Sequence, residues 1–462
     1  MNSNLILMTD SYKASHFEQY PPGVTSLFSY LESRGGKYDK TVFFGLQYLL
    51  KEYLSKPVLV WMLDEAARFF AAHGEPFPFD GFKHIILDLD GYLPIRIRAV
   101  PEGSVVPTHN VLMTVESTDP TVPWVVSWFE TLLMRVWYPI TVATQSYFIK
   151  QTILKYLEKT ADDAKAEINF KLHDFGARGV SSHESASIGG AAHLVNFMGS
   201  DTVEGVLMAN RIYKHPMAAF SIPAAEHSSI TSWGRDHEAD AYANMLDKFA
   251  QKGKLVAVVS DSYDLRNACE NIWGGTLRQK VIDSGATVII RPDSGDPVTV
   301  VGDTVAILAE KFGTTINTKG YKVLNNVRVI QGDGINHESI EAILFMLTKN
   351  GFSATNIAFG MGGALLQQVN RDTQKFAYKC SSCTVNGIER DVFKDPITDP
   401  GKRSKAGRLD LVRSLSGGFA TMRLANGEMK SSDPFQSVLE TVFENGEIKK
   451  EYTLDEIRAR AV

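Results

Sequence analysis

Residues 255–261 read Leu-Val-Ala-Val-Val-Ser-Asp, and residues 287–293 read Thr-Val-Ile-Ile-Arg-Pro-Asp. Each run begins with aliphatic and β-branched residues and ends in a polar tail that contains an aspartate. Runs of the same kind, with polar or glycine-rich tails, occupy residues 170–176, 219–227, 327–333 and 356–363. Because their apolar parts are continuous rather than alternating, they predict strands that are buried on both faces of a sheet.

Helical patterns separate several of these runs, at residues 236–251, 304–312 and 337–349. Strands that alternate with helices are typical of βα units and of a parallel sheet. Six or seven such units fit a (β/α) barrel better than an open doubly wound sheet, although the pattern leaves the open sheet possible. In barrels of this kind the chemistry lies at the carboxyl ends of the strands. The residues there are His173, Asp174, Arg178, Glu226, His227, Asp261, Arg291, Asp293, Asp333 and the loop 360–363.

The segments on either side of these units have a different pattern. Short strands and helical stretches are predicted at 24–31, 42–53, 63–72, 92–99 and 111–115, and strands with turns near 428–430 and 445–447. We therefore expect an α/β protein with an irregular (β/α) barrel at 151–375. The N-terminal segment (1–150) and the C-terminal segment (376–462) are expected to pack together as one discontinuous α+β domain.

The composition is that of an ordinary globular protein and excludes several classes. The 462 residues are 44% hydrophobic, and 48 Lys and Arg against 53 Asp and Glu give a net charge of −5. A nucleic-acid-binding protein would show a basic excess, and three cysteines are too few for a disulfide framework. The chain start lacks signal-peptide features, and the most apolar region, 122–142, is interrupted by charges and a proline. We expect a cytoplasmic protein that binds neither nucleic acid nor membrane.

Two kinds of strand end are candidates for anion binding. Residues 291–295, Arg-Pro-Asp-Ser-Gly, place a guanidinium and a carboxylate two positions apart, a pair that can hold phosphate or ribose hydroxyls. The alternative is a tight turn beside a surface ion pair. The glycine-rich loops at 332–334 and 360–363 can offer backbone N–H groups to a phosphate, or can serve only to turn the chain.

A histidine also lies at a predicted strand end. Glu226 and His227 end one run, and Asp261 ends the next. An imidazole in this place can act as a general base or a nucleophile held in one tautomer, and the alternative is a buried structural histidine. The basic run at 402–408 can grip a polyphosphate or form a solvated loop. The single CxxC pair at 380–383 offers too few ligands for zinc.

Longer strings spread over nearly the whole chain resemble one family. They are residues 9–13 (Thr-Asp-Ser-Tyr-Lys), 171–176 (Lys-Leu-His-Asp-Phe-Gly), 223–227 (Pro-Ala-Ala-Glu-His), 260–264 (Ser-Asp-Ser-Tyr-Asp) and 290–295 (Ile-Arg-Pro-Asp-Ser-Gly). In these strings the sequence resembles the nicotinamide phosphoribosyltransferases, type II phosphoribosyltransferases that start NAD salvage from nicotinamide. The resemblance implies a pentosyltransferase that condenses nicotinamide with 5-phosphoribosyl 1-pyrophosphate, giving nicotinamide mononucleotide and pyrophosphate.

The resemblance places the nicotinamide ring between two aromatic side chains in a homodimer with shared sites. Phe175 stacks on one face, and Tyr12 of the other subunit covers the opposite face, which suits a flat, electron-poor pyridine. Asp201 binds the amide group. The other substrate-binding residues that the resemblance implies are Arg178, Ser221, Arg291, Gly332, Asp333, Gly362 and Gly363.

The resemblance also implies ATP as a co-substrate and Mg²⁺ as the cofactor. His227 matches a histidine that ATP phosphorylates, with Glu226 and Asp261 supporting it. Asp293 matches the acid beside the ribose and the metal, and both aspartates are expected to meet Mg²⁺ indirectly, through bound water or substrate. The residues that match ligands of pyrophosphate and ATP phosphates, several of them donated across the dimer, are Arg34, Arg371, Lys379, Lys394 and Lys402.

The sequence departs from the family's animal members at three places. The stretch between Arg34 and Tyr38 is short, Ala177 stands where those members have a Tyr, and Ala377 replaces a Ser that contacts phosphate. These changes concern ligand contacts rather than the reaction. Two other functions stay open, namely another phosphate-handling barrel enzyme, such as a nicotinate phosphoribosyltransferase, and a non-catalytic binding protein that retains the fold.

Overall fold

A computed structural model describes residues 4–398, 403–413, 417–424 and 435–462 of the chain. The chain forms two compact units. Unit 1 comprises Met1–Thr144, Ile212–Lys214 and Asn370–Val462, and unit 2 comprises Gln145–Arg211 and His215–Val369. None of the helices in the described residues is both long enough and apolar enough to cross a bilayer.

The α-helices, in chain order, are α1 (His16–Gln19), α2 (Leu46–Leu49), α3 (Val60–His73), α4 (Phe79–Asp88), α5 (Val125–Trp128), α6 (Glu130–Met134), α7 (Trp137–Thr160), α8 (Ala164–Ile168), α9 (His183–His193), α10 (Val203–Tyr213), α11 (His227–Thr231), α12 (Glu238–Phe249), α13 (Leu265–Asn267), α14 (Arg278–Ser284), α15 (Pro297–Phe312), α16 (His337–Lys349), α17 (Gly363–Leu366) and α18 (Leu454–Arg460). Two π-helical segments follow α2 and α13, at Leu50–Leu54 and Ala268–Thr276. Short 3-10 turns lie at Leu5–Leu7, Ser11–Ser15, Ala177–Gly179, Arg235–His237, Ala354–Asn356 and Arg371–Thr373.

The strands, in chain order, are β1 (Val24–Ser33), β2 (Lys40–Val42), β3 (Ile95–Ala99), β4 (Val105–Pro107), β5 (Val111–Ser117), β6 (Leu172–Asp174), β7 (Gly199–Ser200), β8 (Leu255–Val259), β9 (Thr287–Arg291), β10 (Thr314–Ile316), β11 (Lys322–Leu324), β12 (Val327–Gln331), β13 (Ile357–Met361), β14 (Phe376–Val385), β15 (Ile388–Asp391), β16 (Leu409–Arg413), β17 (Phe419–Arg423), β18 (Gln436–Ser437), β19 (Glu440–Glu444) and β20 (Glu447–Ile448).

Unit 2 is built on a curled parallel sheet. Its six strands lie in the order β7-β6-β13-β12-β9-β8, and every neighbouring pair is parallel. The segment 219–225 joins the two edges, because Phe220 N–H donates to Met198 O (2.8 Å) and Ala225 N–H donates to Ala257 O (2.9 Å). The strands therefore follow one another around a ring in chain order, which confirms the expected irregular (β/α) barrel over the open sheet.

The helices of unit 2 begin where the sequence supplies caps. Asp296 accepts the Thr299 N–H ahead of α15, with Pro297 in the first turn, and Asn336 and Ser339 form a capping box at the start of α16. Because these caps lie just after the strand ends, each helix leaves the sheet within a few residues. The loops between strand and helix are consequently short and gather at one end of the barrel.

Unit 1 has an antiparallel sheet made from both ends of the chain. Its strands lie in the order β15-β14-β1-β5-β3-β19-β20, and the ten-residue β1 pairs with β14 on one side and β5 on the other. The hairpin between β19 and β20 turns at Asn445–Gly446, where Asn445 has a φ of 49°. This pairing confirms the discontinuous α+β domain, while the predicted strand near 428–430 lies outside the described residues.

The structure differs from the predicted elements within 42–53 and at β7, and the run 219–227 forms isolated bridges at Phe220 and Ala224 instead of a strand. Residues 42–53 were expected to be helical, but β2 extends to Val42 and α2 begins only after Gly45, whose φ of 98° suits glycine. The second difference is β7, which no apolar run predicted. It is two residues long and pairs with β6 through Gly199, where a Cβ would lie 2.5 Å from the His173 ring.

Candidate active site

An aromatic wall stands at the carboxyl end of β6. Phe175 follows the strand directly, and its N–H donates to Met361 O of β13 at 3.0 Å. A Cβ built on Gly360 would lie 1.9 Å from Phe175 Cε2, and one on Gly332 would lie 3.6 Å from the same atom. The ring therefore lies against the glycine backbone of β13, in a space that a side chain at position 360 would fill.

A carboxylate lies on the neighbouring strand end. Asp201 follows β7, and its Oδ1 accepts a hydrogen bond from Ser221 Oγ at 2.5 Å. Its backbone N–H donates to Asp174 O at 2.9 Å, so the segment after β7 is tied to the end of β6. Arg178, in the 3-10 turn after Phe175, is exposed at this end of the barrel.

A cavity of about 520 Å³ runs through the inside of the barrel. Phe175, Asp201, Ser221 and Arg291 line one part of it. Barrel interiors of this class are normally filled by layers of side chains. In this chain the cavity continues inward past the inward-facing side chains and backbone of β8, β9, β12 and β13, lined by Leu255, Ala257, Thr287, Ile289, Val329, Ile330, Ile357 and Ala358. Phe175 and Asp201 therefore face the same cavity.

A histidine and two aspartates meet at the ends of β8 and β9. His227 Nε2 lies 3.3 Å from Asp293 Oδ2 and 3.9 Å from Asp261 Oδ1, and the His227 side chain is 46% exposed. Asp261 Oδ2 accepts from the Asp293 N–H (2.9 Å) and from Ser294 Oγ (2.6 Å). The imidazole is thus an exposed nitrogen base beside two carboxylates, and the structural alternative of a buried histidine does not apply.

Glu226 and Ser262 are neighbours of His227, and the first caps the helix of His227 while the second contacts its ring. Glu226 is the N-cap residue of α11; its N–H donates to Ser229 Oγ (3.2 Å), and Ser228 Oγ donates to its carboxylate. Glu226 therefore fixes the start of the helix that carries His227. Ser262 Oγ lies 3.0 Å from His227 Nδ1, a contact that the sequence analysis missed. Its only signal was its place between Asp261 and Tyr263 in a string of family resemblance.

The glycine loops lie at the ends of β12 and β13, on the same side as Phe175. Gln331 Nε2 donates to Asp333 O (2.9 Å), which holds the loop 332–334, and Asp333 is exposed. A Cβ on Gly363 would meet no atom within 4 Å, so open space lies above the start of α17. Among the described atoms, the buried Arg291 Nε has no hydrogen-bond partner. The loops and this guanidinium together offer backbone and charged donors to an anion.

Comparisons with known proteins agree with this geometry. Residues 170–447 match the model of the nicotinate phosphoribosyltransferase family, and residues 4–97 match that of the nicotinamide phosphoribosyltransferase N-terminal domain. The chain is 59% identical to a nicotinamide phosphoribosyltransferase of Xanthomonas campestris, over 99% of this chain and 98% of the relative. It is 33% identical to one of Acinetobacter baylyi, over 98% and 95%. The chain belongs to the nicotinate phosphoribosyltransferase family.

Solved structures show the same fold at low sequence identity. Nicotinate-nucleotide pyrophosphorylase from Pyrococcus furiosus superposes with a TM-score of 0.63 at 15% identity, over all of this chain and 95% of that one. Human nicotinic acid phosphoribosyltransferase superposes with a TM-score of 0.55 at 16% identity, over 98% and 93%. The fold is therefore that of the type II phosphoribosyltransferases. Membership of the family and the 59% identical relative make the protein a pentosyltransferase.

The two aspartates beside His227 fit a magnesium ion of the kind that this family implies. Within the described part of the chain, no group of three or more His, Cys, Asp or Glu side chains could hold a metal by itself. Mg²⁺ keeps several waters and binds through one or two carboxylates together with substrate phosphates. Asp261 Oδ1, which is buried and without a hydrogen-bond partner among the described residues, and Asp293 Oδ2 are suitable oxygens for that role.

Unit 1 contains a cluster of basic residues, two of which pair with Glu32. Arg34 Nε donates to Glu32 Oε1 (2.7 Å), and Lys405 Nζ pairs with the other carboxylate oxygen. Burial lowers the pKa of Lys379, and although Glu130 opposes this, the charges of Arg34 and Lys394 lower it further. Of the side chains that the structure describes, the buried Arg34 NH2 group is one without a partner. The cluster therefore keeps a cationic N–H donor, on Arg34, that has no acceptor among the described residues.

The remaining predicted site residues of unit 1 lie on its surface or outside the description. Tyr12 is 58% exposed, with its ring edge against His16. Arg371 is exposed and pairs with Asp372 (3.2 Å). Lys402 lies outside the described residues. Lys405, which the sequence analysis did not single out as a site residue, joins the cluster because its chain returns beside β1, where its N–H donates to Tyr30 Oη (2.9 Å).

Proposed function

We propose that the protein is a nicotinamide phosphoribosyltransferase of NAD salvage. The observation that carries this proposal is the Asp201 carboxylate, held by Ser221 Oγ (2.5 Å) in the same cavity as Phe175. A carboxylate accepts from an amide NH₂ and repels another carboxylate, so this cavity favours nicotinamide over nicotinate. The relative that is 59% identical over nearly its whole length is named for the same activity.

The proposed reaction exchanges one bond at ribose C1. The pyridine nitrogen lone pair forms the new N–C1 bond while the bond from C1 to the pyrophosphate oxygen breaks, and pyrophosphate leaves with the electron pair. Positive charge builds on the ribose and negative charge on the leaving group. Asp293, at the end of β9, provides a carboxylate that stabilises the positive charge on the ribose. Arg291 provides a guanidinium that stabilises the negative charge on the leaving pyrophosphate. Mg²⁺, when bound with the substrate, supplies neutralising charge on the pyrophosphate.

We also propose that ATP phosphorylates His227. An imidazole nitrogen attacks the γ-phosphorus, ADP leaves, and the phosphohistidine is later hydrolysed to phosphate. The support for this is the 46% exposure of the imidazole, which leaves it accessible, and the two carboxylates that orient it. A phosphoryl group beside the site stabilises whichever substrate-bound state contacts it more strongly, and only such a difference can shift binding.

The homodimer is a further part of the proposal. Tyr12 and several phosphate-binding cations are assigned to the partner subunit on the family resemblance. The exposed Tyr12 ring and the unpartnered donor of Arg34, among the side chains described, are consistent with surfaces that a ligand or partner completes.

A cytoplasmic location is also part of the proposal. Cys269, Cys380 and Cys383 are all free thiols, which suits a reducing compartment.

The test is a transfer assay with purified protein, 5-phosphoribosyl 1-pyrophosphate and either nicotinamide or nicotinic acid, with and without ATP. We expect nicotinamide mononucleotide as the main product and a higher kcat/KM for nicotinamide. A preference for nicotinic acid would make the protein a nicotinate phosphoribosyltransferase. Absence of turnover with both bases in folded protein would favour the binding-protein alternative.

A further inference from the structure

One carboxyl group beneath the ring site has no part in the mechanism described so far. Asp174 is the last residue of β6, and its side chain is fully buried. It lies immediately before Phe175, and its backbone pairs with Ser200 of β7 on one side and Met361 of β13 on the other. Asp174 therefore lies at the junction of the three strand ends that carry the ring site.

Asp174 makes hydrogen bonds to both sides of that site. Its Oδ1 accepts the Gly176 N–H at 2.7 Å, which closes the turn on which Phe175 is mounted. Its backbone oxygen accepts the Asp201 N–H at 2.9 Å, and this bond ties the segment that carries the Asp201 carboxylate to the end of β6. One residue thus fixes the backbone on either side of the cavity.

The buried surroundings of Asp174 disfavour the charged form of its carboxyl group. Burial raises the pKa of Asp174 to about 6, against the opposing effects of the Gly176 N–H and the Thr202 hydroxyl, while the charges of Asp201 and Glu204 raise it further. Burying a carboxyl group beside other carboxylates is destabilising unless its hydrogen bonds compensate. Burial of the Asp174 carboxyl group therefore lowers the stability of the fold, and packing alone does not explain why an Asp occupies this position.

We propose that Asp174 is a positioning residue for nicotinamide, holding Phe175 and Asp201 at the spacing that the ring and its amide require. Its side chain acts through the Gly176 turn that carries Phe175. Its backbone carbonyl, which a substituted residue keeps, holds the Asp201 segment, and the side chain does not touch the ring. The inference rests on the proposed function and deepens it by naming what sets the geometry of the base site. A misplacement of about 1 Å can cost about a hundredfold in efficiency, so a single lost acceptor at this junction has a measurable effect.

The test compares Asp174→Ala with the matched control Ser353→Ala. Ser353 is fully buried in the same unit, ahead of β13 at the opposite end of the strand, and its Oγ donates to Thr160 O (2.9 Å). Both variants lose a buried hydrogen bond, and only Asp174→Ala is expected to raise the KM for nicotinamide, by about tenfold or more. The KM for 5-phosphoribosyl 1-pyrophosphate should change by less than about threefold in both variants.

Asp174→Asn gives a second measurement that does not depend on the alanine variant folding. Its amide oxygen can still accept the Gly176 N–H, but the side chain stays neutral at every pH. In the wild type we expect the nicotinamide KM to rise about threefold as pH falls from 7.5 to 5.5, because protonated Asp174 is a weaker acceptor. In Asp174→Asn the KM should be flat across this range, at the wild-type low-pH value.

The outcomes separate this inference from the proposed function. A nicotinamide KM in Asp174→Ala equal to that of the wild type, with both alanine variants only less thermostable, would make Asp174 a purely structural residue. A pH profile of Asp174→Asn parallel to that of the wild type would overturn the inference as well. Failure of the wild type itself to use nicotinamide would instead refute the proposed function.

Discussion

Asp201 is the residue on which the choice between amide and acid depends. Its carboxylate accepts from Ser221 and lies in the same cavity as Phe175, where a nicotinate carboxylate would meet a like charge. Repulsion of that kind is strong where water is excluded. We expect Asp201→Ser to lower kcat/KM for nicotinamide by about tenfold or more and to raise the relative efficiency with nicotinate. The ratio of the two kcat/KM values in wild type and variant measures this.

An isosteric control separates charge from shape at the same position. Asp201→Asn keeps an oxygen that can accept from Ser221 Oγ and removes only the negative charge. If charge discriminates, Asp201→Asn should also shift the substrate ratio toward nicotinate. If Asp201 acts only on helix stability as a residue near the start of α10, both variants will be less stable and the ratio will stay at the wild-type value.

His227 supports a second prediction at this scale. Its nitrogen lies 3.3 Å from Asp293, but in the proposed reaction the bond exchange at C1 does not pass through it. We expect His227→Ala to lose ATP hydrolysis and ATP stimulation, and to keep basal transfer within about fivefold of the wild type. Measuring transfer with and without ATP checks this. Loss of all transfer in a folded variant would place His227 in the chemical step itself, and intact coupling would remove the phosphohistidine from the mechanism.

Residue-level chemistry was only partly predictable from the sequence. The polar ends of the runs located Asp261, Arg291 and Asp293 at one edge of a sheet, because parallel strands bring their carboxyl ends together. The Asp201–Ser221 contact joins segments 20 positions apart. The run 219–227 was predicted as a strand, but its pairing with β7 and β8 is a tertiary contact that the sequence pattern does not specify. Ser262 was missed because a serine beside an aspartate carries no distinctive signal.

At the scale of elements, β13 depends on a glycine to admit the aromatic wall. A Cβ at Gly360 would overlap Phe175, with atoms 1.9 Å apart, so Gly360→Ala must move the ring or the strand. We expect a loss of about 1–3 kcal/mol in the free energy of unfolding, typical of overpacking, and a higher KM for nicotinamide. Urea unfolding and steady-state kinetics measure the two effects. Gly275→Ala is the control, since a Cβ there would lie 3.7 Å from its nearest neighbour, an ordinary contact; equal effects in both variants would contradict the prediction.

Element boundaries were predictable where local signals were strong. The helical pattern predicts a helix at residues 337–349, and α16 occupies these residues, with Asn336 capping its start. Strands β8 and β9 fall within the predicted runs because both faces are buried. The two-residue β7 was not predictable, since its pairing comes from tertiary contact between Gly199 and the His173 ring rather than from an apolar run.

At the scale of the whole unit, a buried carboxyl group makes the stability of unit 1 depend on pH. Glu102 is almost completely buried, accepts the Gln47 N–H (2.7 Å), and burial raises its pKa from 4.5 to about 7. Because the folded state holds this proton more tightly than the unfolded chain, its stabilising contribution is complete below pH 4.5 and is lost as pH rises through 7. The loss amounts to about 3 kcal/mol.

The matched variant for this prediction is Glu102→Gln, which is neutral at all pH values. The difference in the free energy of unfolding between wild type and Glu102→Gln should change by about this amount between pH 4.5 and pH 8, in the direction that makes the wild type relatively weaker at high pH. Urea titrations at several pH values measure it. A pH-independent difference would show that Glu102 keeps the same protonation state throughout.

The assembly of the whole molecule gives the last prediction, which concerns shared sites in the proposed homodimer. If Phe175 of one subunit and Tyr12 of the other subunit form each site, Tyr12→Ala and Phe175→Ala chains are both inactive alone. In a heterodimer of the two, one site receives both mutations and the other receives neither, as a two-fold dimer requires. Random exchange of equal amounts makes half of the dimers mixed, so about one quarter of the wild-type activity should return. Activity is measured after refolding the chains together, with mass spectrometry confirming the heterodimers. Verified heterodimers without activity would mean that each site is built within one chain, and the exposed Tyr12 would then need another explanation.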